Sequence, residues 1–109
     1  MITVTISKNG SGNYTGFTCI GHAGFADSGK DIVCAAVSML VINTINSLDQ
    51  LLKEPFHCAS KESTGEITVR FETAPSMQAV LLLDSMVLGL TEVKKQYGKK
   101  YILLKFEEV

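Results

Sequence analysis

Residues 2–8 alternate between apolar and hydroxyl-bearing side chains, with Ile2, Val4 and Ile6 on one side and Thr3, Thr5 and Ser7 on the other. A period of two predicts a half-buried strand. Asn9-Gly10-Ser11-Gly12-Asn13 is turn chemistry. A second strand predicted over 14–21 then closes a hairpin, with Phe17 and Cys19 sharing a side. From Asp31 apolar residues come thickly through Ile42 and continue at Ile45, Leu48, Leu51 and Leu52. The later spacings of three and four are helical. Ser28-Gly29-Lys30-Asp31 has the form of a capping box that starts the helix at Ser28, and Asp31 is equally placed to be the N-cap itself. Lys53-Glu54-Pro55 ends the helix. Strands are predicted at 57–61 and 66–73 around the turn Glu62-Ser63-Thr64-Gly65. A second helix spans 76–97, with Ala79, Val80, Leu83, Met86, Val87, Leu90 and Val93 as its stripe, and a last strand covers 100–107.

The predicted order is ββαββαβ, an α+β fold with a mostly antiparallel sheet and two helices packed on one face. Both helices carry more apolar surface than one sheet contact requires. Residues 32–42 leave little polar face beyond Ser38, and Leu81, Leu82 and Leu88 lie off the main stripe of the second helix. A helix that is apolar nearly all round is buried nearly all round. This surplus predicts a homodimer with helices at the interface; the alternative is that the helices cover each other within one chain.

The 109 residues are expected to form a single domain, 1–109, long enough to bury a core without disulfides or metal. With 46% hydrophobic and 19% charged residues the profile is globular. Ten basic against eleven acidic residues give a net charge of −1, and the longest basic runs are Lys94-Lys95 and Lys99-Lys100. That argues against direct nucleic-acid binding, which calls for a basic face. No window reaches the roughly 18 consecutive apolar residues of a membrane span. The opening residues Met1 to Lys8 show no charged, then apolar, signal-peptide pattern. Three isolated cysteines, Cys19, Cys34 and Cys58, suit a reducing compartment, so the expected location is cytoplasmic.

The candidate chemistry lies in residues 21–38. His22 stands on a glycine-rich loop, and Cys34, twelve residues on, stands in the first turns of the helix. A helix N-terminus and a neighbouring imidazolium both favour a thiolate. A thiolate beside histidine is the activated nucleophile of cysteine hydrolases, and free N–H groups at the helix start could receive an oxyanion. Asp31 shares a helix face with Cys34 and either orients His22 or caps the helix. Ser38, one turn further, either bonds His22 or substrate or bonds back to the Cys34 carbonyl. Cys19 and Cys58 are expected in the core, and His57 at the surface or packed. A zinc site from His22, Cys34, His57 and Cys58 has suitable ligand types, but adjacent His57 and Cys58 would face opposite ways on a strand. The span from Gly21 to Gly29 matches neither phosphate-loop fingerprint. No metal or cofactor is therefore expected.

At these residues the chain resembles a known family. Gly21-His22-Ala23, Gly29 and Asp31-Ile32-Val33-Cys34-Ala35-Ala36-Val37-Ser38 look like the signature of the Prp-type ribosomal-processing cysteine proteases, over essentially the whole length. The resemblance implies a homodimeric cysteine endopeptidase that removes an N-terminal extension from a large-subunit ribosomal protein. It implies His22 and Cys34 as the catalytic pair, which Asp31 and Ser38 would support. Gly21, Ala23, Gly24, Phe25 and Gly29 would belong to a loop that closes over the substrate, with Ala23, Phe25 and Ala26 suited to apolar side chains near the cut. The competing expectations are a non-catalytic ribosome-associated binding module and a thiol redox or metal-binding protein.

Overall fold

The computed structural model describes residues 1–22, Gly24, Ala26 and 31–109. Its elements are β1 (Ile2–Lys8), β2 (Tyr14–Ile20), α1 (Ile32–Gln50), β3 (His57–Lys61), β4 (Glu66–Arg70), α2 (Met77–Tyr97) and β5 (Ile102–Glu108). The order is the predicted ββαββαβ. The sheet runs β3-β4-β2-β1-β5, antiparallel throughout except for the β1/β5 pair. These directions make β3 parallel to β2 and β5 parallel to β4, so α1 and α2 are both crossovers. The crossovers start on antiparallel strands and travel in opposite directions across the sheet. The usual right-handed sense therefore lays both helices on the same face.

That face is the core. Ile2, Val4 and Ile6 of β1, Phe17 and Cys19 of β2, Val69 of β4 and Ile102 of β5 are buried there. Against them stand Val33, Val37, Val41 and Leu48 of α1 and Ala79, Leu83, Met86 and Leu90 of α2. The register sets the stack: Val4 pairs with Cys19 and Leu104, and Cys19 pairs with Ile67. By length and hydropathy α1 is apolar enough to cross a membrane, a test that tolerates the interruptions at Ser38, Asn43 and Thr44. Here its valine stripe lies in the core.

The helices also pack on each other. A Cβ on Gly89 of α2 would stand 2.7 Å from Leu40 Cδ2 of α1. Even so, Ile32, Met39 and Ile42 of α1 and Leu81 and Leu88 of α2 remain exposed. Intramolecular packing thus absorbs part of the apolar surplus and leaves a stripe of it at the surface.

Several boundaries shift for local reasons. Regular helix begins at Ile32, because Asp31 has extended backbone (φ −82°, ψ 98°) and acts as N-cap. The N-cap reading of Asp31 therefore holds over a start at Ser28, which itself lies outside the described residues. Ladder pairing of β4 ends at Arg70, although the Phe71 N–H still donates to the Thr15 carbonyl. Cys58 is exposed instead of in the core. It lies on β3, opposite Val69 of β4, and β3 is an edge strand exposed along its whole length.

Candidate active site

β2 delivers His22. The chain turns at Gly21, whose φ is +100° and whose added Cβ would lie 2.5 Å from the Met1 carbonyl oxygen. Only glycine fits both the left-handed backbone and the close approach. The turn leaves His22 exposed, with its imidazole beside the β3–β4 turn: a Cβ on Gly65 would stand 3.7 Å from Cε1 and 3.8 Å from Nε2 of the ring.

α1 delivers Cys34. Asp31 Oδ1 accepts hydrogen bonds from the Val33 N–H at 3.0 Å and the Cys34 N–H at 2.9 Å, and the Asp31 carbonyl accepts one from Ala35 N–H at 3.1 Å. Cys34 is thereby fixed in the first turn. Its side chain is part-buried and packs against the edge of the core. The capping also corrects one expectation. The Val33 and Cys34 amides are already bonded to a carboxylate, so they are not free donors for an oxyanion.

His22, Gly24, Ala26, Asp31, Cys34, Ala35 and Ser38 line one cleft of about 450 Å³. The structure thus brings together His22, Gly24, Asp31, Cys34 and Ser38 of the expected residues and adds Ala26 and Ala35. Ser38 is exposed and opens onto the cleft. Gly21 shapes the approach to His22 without lining the cleft. Ala23, Phe25 and Gly29, assigned to the substrate loop, lie outside the described residues.

The three thiols differ in environment. Burial first, and then the nearby charge of Cys34, push the Cys19 thiol up from the ordinary 9.0 to about 11. Cys19 is therefore a protonated core thiol beneath the site, close enough to respond to charge on Cys34. Partial desolvation by its neighbours also pushes the thiol of the largely exposed Cys58 up. Neither is an activated nucleophile. Of the three, Cys34 combines a helix start with a place in the cleft that His22 also lines.

The four-residue zinc set does not assemble. The register puts His57 and Cys58 on opposite faces of β3, and His57 Nε2 instead meets Glu72 Oε1 at 3.1 Å. Among the described residues, no cluster of three metal-ligating side chains occurs. One neighbour of His22 escaped the sequence reading. Gly65 read only as part of a turn, and nothing local signals that residues 22 and 65 come close.

A thiol on the first turn of a helix, sharing an open cleft with an imidazole, is the arrangement of a cysteine-dependent hydrolase. Residues 1–102 match the family model described as cysteine protease Prp, and the chain belongs to that family and is a cysteine protease. It is 29% identical over 99 residues to the ribosomal processing cysteine protease Prp of Staphylococcus aureus, covering 91% of this chain and 93% of that one. The crystal structure of the essential ribosomal processing protease Prp from S. aureus with a covalently linked product peptide superposes with a TM-score of 0.91. It shares 29% identity and covers 98% of this chain and 100% of that one. The same S. aureus protease with a substrate peptide gives a TM-score of 0.81 at 27% identity, over 98% and 100% of the two chains.

Proposed function

We propose that this protease removes an N-terminal extension from a large-subunit ribosomal protein, with Cys34 as nucleophile and His22 as its acid–base partner. The observation that carries the reading is the single cleft holding both side chains. The relatives' role in ribosomal processing supports the substrate class. The net charge of −1 suits a basic partner protein better than a nucleic acid.

In this mechanism the Cys34 thiolate attacks the scissile carbonyl carbon, and the C–O double bond opens to an oxyanion. The oxyanion collapses as the C–N bond breaks, and the His22 imidazolium gives its proton to the leaving amine. A thioester to Cys34 remains. Neutral His22 then takes a proton from water, whose oxygen attacks the thioester; Cys34 leaves as thiolate and the excised N-terminal extension departs with the new carboxylate, the shortened protein having already left as the amine. Asp31 supports the pair by fixing the helix turn that carries Cys34. Ser38 offers a hydroxyl to His22 or to the substrate.

The protein works in the cytoplasm as a homodimer joined through the exposed stripe of Ile32, Met39, Ile42, Leu81 and Leu88. Incubation with bacterial large-subunit ribosomal proteins, followed by mass spectrometry of their N-termini, tests the reading. One substrate should lose a defined N-terminal segment with wild-type protein and none with Cys34→Ala. Intact N-termini across the whole set would refute it.

A further inference from the structure

His22 enters the cleft from a loop, and a loop by itself sets a ring poorly. The ring has a close neighbour, however. Gly65 stands beside it: the same added Cβ that would stand 3.7 and 3.8 Å from Cε1 and Nε2 would stand 3.6 Å from the Gly21 carbonyl oxygen. The site therefore has room for a methyl group, and a longer side chain leaving in that direction meets the imidazole.

The contact follows from the sheet. β2 and β4 pair Phe17 with Val69, Thr18 with Thr68 and Cys19 with Ile67. Continued past the ends of the ladder, that register sets Gly21 opposite Gly65. The β3–β4 turn is closed by the Thr64 N–H donating to the Lys61 carbonyl and the Gly65 N–H donating to the Glu62 carbonyl, both at 3.3 Å. Gly65 has φ +65°, the left-handed conformation that ends such a turn. The turn is thus tied to the same strand from which His22 departs.

We propose that Gly65 is a positioning residue for His22: the side-chain-free tip of the β3–β4 turn leaves beside the imidazole a space that a side chain would fill, and this lets the ring keep its place at the cleft that contains Cys34. This rests on the reading of His22 as the acid–base partner of Cys34. Glycine serves twice here. It adopts the backbone angle, and it leaves the ring unobstructed.

The test uses Gly65→Asn, because asparagine tolerates the left-handed region while its amide extends beyond Cβ into the ring. Gly65→Ala is the milder variant should Gly65→Asn fold poorly. Gly12→Asn is the control, since Gly12 has a similar φ of +82° in the β1–β2 turn with nothing within 4 Å of its added Cβ. The first readout is the rate of Cys34 alkylation by iodoacetamide against pH, located by peptide mapping. The second is the His22 Cε1–H proton resonance. Gly65→Asn should shift that resonance, lower Cys34 alkylation at neutral pH by about 5-fold or more, and move its midpoint upward, because an imidazolium out of place no longer favours the thiolate. Gly65→Ala should move both readouts the same way by less, and Gly12→Asn should match wild type. Gly65→Asn added to His22→Ala should change Cys34 alkylation no further. A wild-type profile and an unmoved resonance in both Gly65 variants, with His22→Ala shifted, would overturn the inference and leave the pair standing. An equal loss from Gly65→Asn in the His22→Ala background would show that Gly65 acts without His22, and would also overturn it. A wild-type profile in His22→Ala itself would overturn the pairing and, with it, the positioning role.

Discussion

Asp31 separates capping from catalysis, because two substitutions remove different parts of what it does. Its Oδ1 holds two amides, those of Val33 and Cys34. Asp31→Ala removes that acceptor, and loss of an N-cap costs about 1 kcal/mol, up to about 2 kcal/mol. The lost carboxylate at a helix start adds about 0.3–1 kcal/mol. For 109 residues the unfolding entropy is roughly 0.23 kcal/mol per kelvin. A total near 1.5–2 kcal/mol therefore lowers Tm by about 6–9 °C. Asp31→Asn keeps a capping oxygen in place and loses only the charge, which lowers Tm by about 1–4 °C. If the contribution of Asp31 is to hold the turn that carries Cys34, Asp31→Asn keeps peptide cleavage within about 3-fold of wild type, while Asp31→Ala loses stability and turnover together. Calorimetry and a peptide-cleavage assay on the same samples measure both. A wild-type Tm with a cleavage loss of about 100-fold in Asp31→Asn would refute the capping account and make the carboxylate charge part of the reaction.

Gly21→Ala should lower Tm and cleavage together, since its Cβ would meet the Met1 carbonyl oxygen at 2.5 Å on a backbone with φ +100°; thermal melting with wild-type stability would contradict that close approach. Leu88→Lys on the exposed face of α2 should leave the subunit folded while converting a species near twice 11.8 kDa to the monomer in sedimentation at micromolar concentration. A wild type that already sediments at 11.8 kDa would remove the basis for the dimer. Cys19 gives a pH prediction: its folded value near 11 lies above the ordinary 9.0, so the folded state holds the proton more tightly. That stabilisation is full below pH 9 and is lost as pH rises through 11, by at most about 2–3 kcal/mol. Chemical denaturation between pH 8 and 11 should show a shallower decline in Cys19→Val than in wild type, and equal slopes would contradict it.

Local patterns carried the fold because each element repeats its own period. Ile2, Val4 and Ile6 alternate, and Ala79, Leu83, Met86 and Leu90 recur every three or four residues; those residues are the buried ones. The parallel pairing of β1 with β5 joins the two ends of the chain and has no local signal. Cys58 looked like a core residue because its type is usually buried, and only the sheet order shows that β3 is an uncovered edge. At the site, His22 and Cys34 were legible from a glycine-rich loop running into a helix start. The state of the helix amides was not: Asp31 reads equally well as orienting group and as cap until its hydrogen bonds are seen. Gly65 was invisible for the same reason as the β1–β5 pair, since its contact with His22 spans 43 positions of the chain.

The most direct test of the account is the pH dependence of iodoacetamide alkylation at Cys19, Cys34 and Cys58, mapped residue by residue in wild type and in His22→Ala. The account predicts that Cys34 reacts first and well below the ordinary thiol value of 9.0. Cys58 should follow above it, and Cys19 should stay protected in the folded protein, in keeping with their raised values. In His22→Ala the Cys34 midpoint should move upward while the other two stay in place. A Cys34 that titrates like an ordinary thiol, or one whose profile is the same with and without the imidazole, would contradict the Cys34–His22 pair on which the proposed mechanism stands.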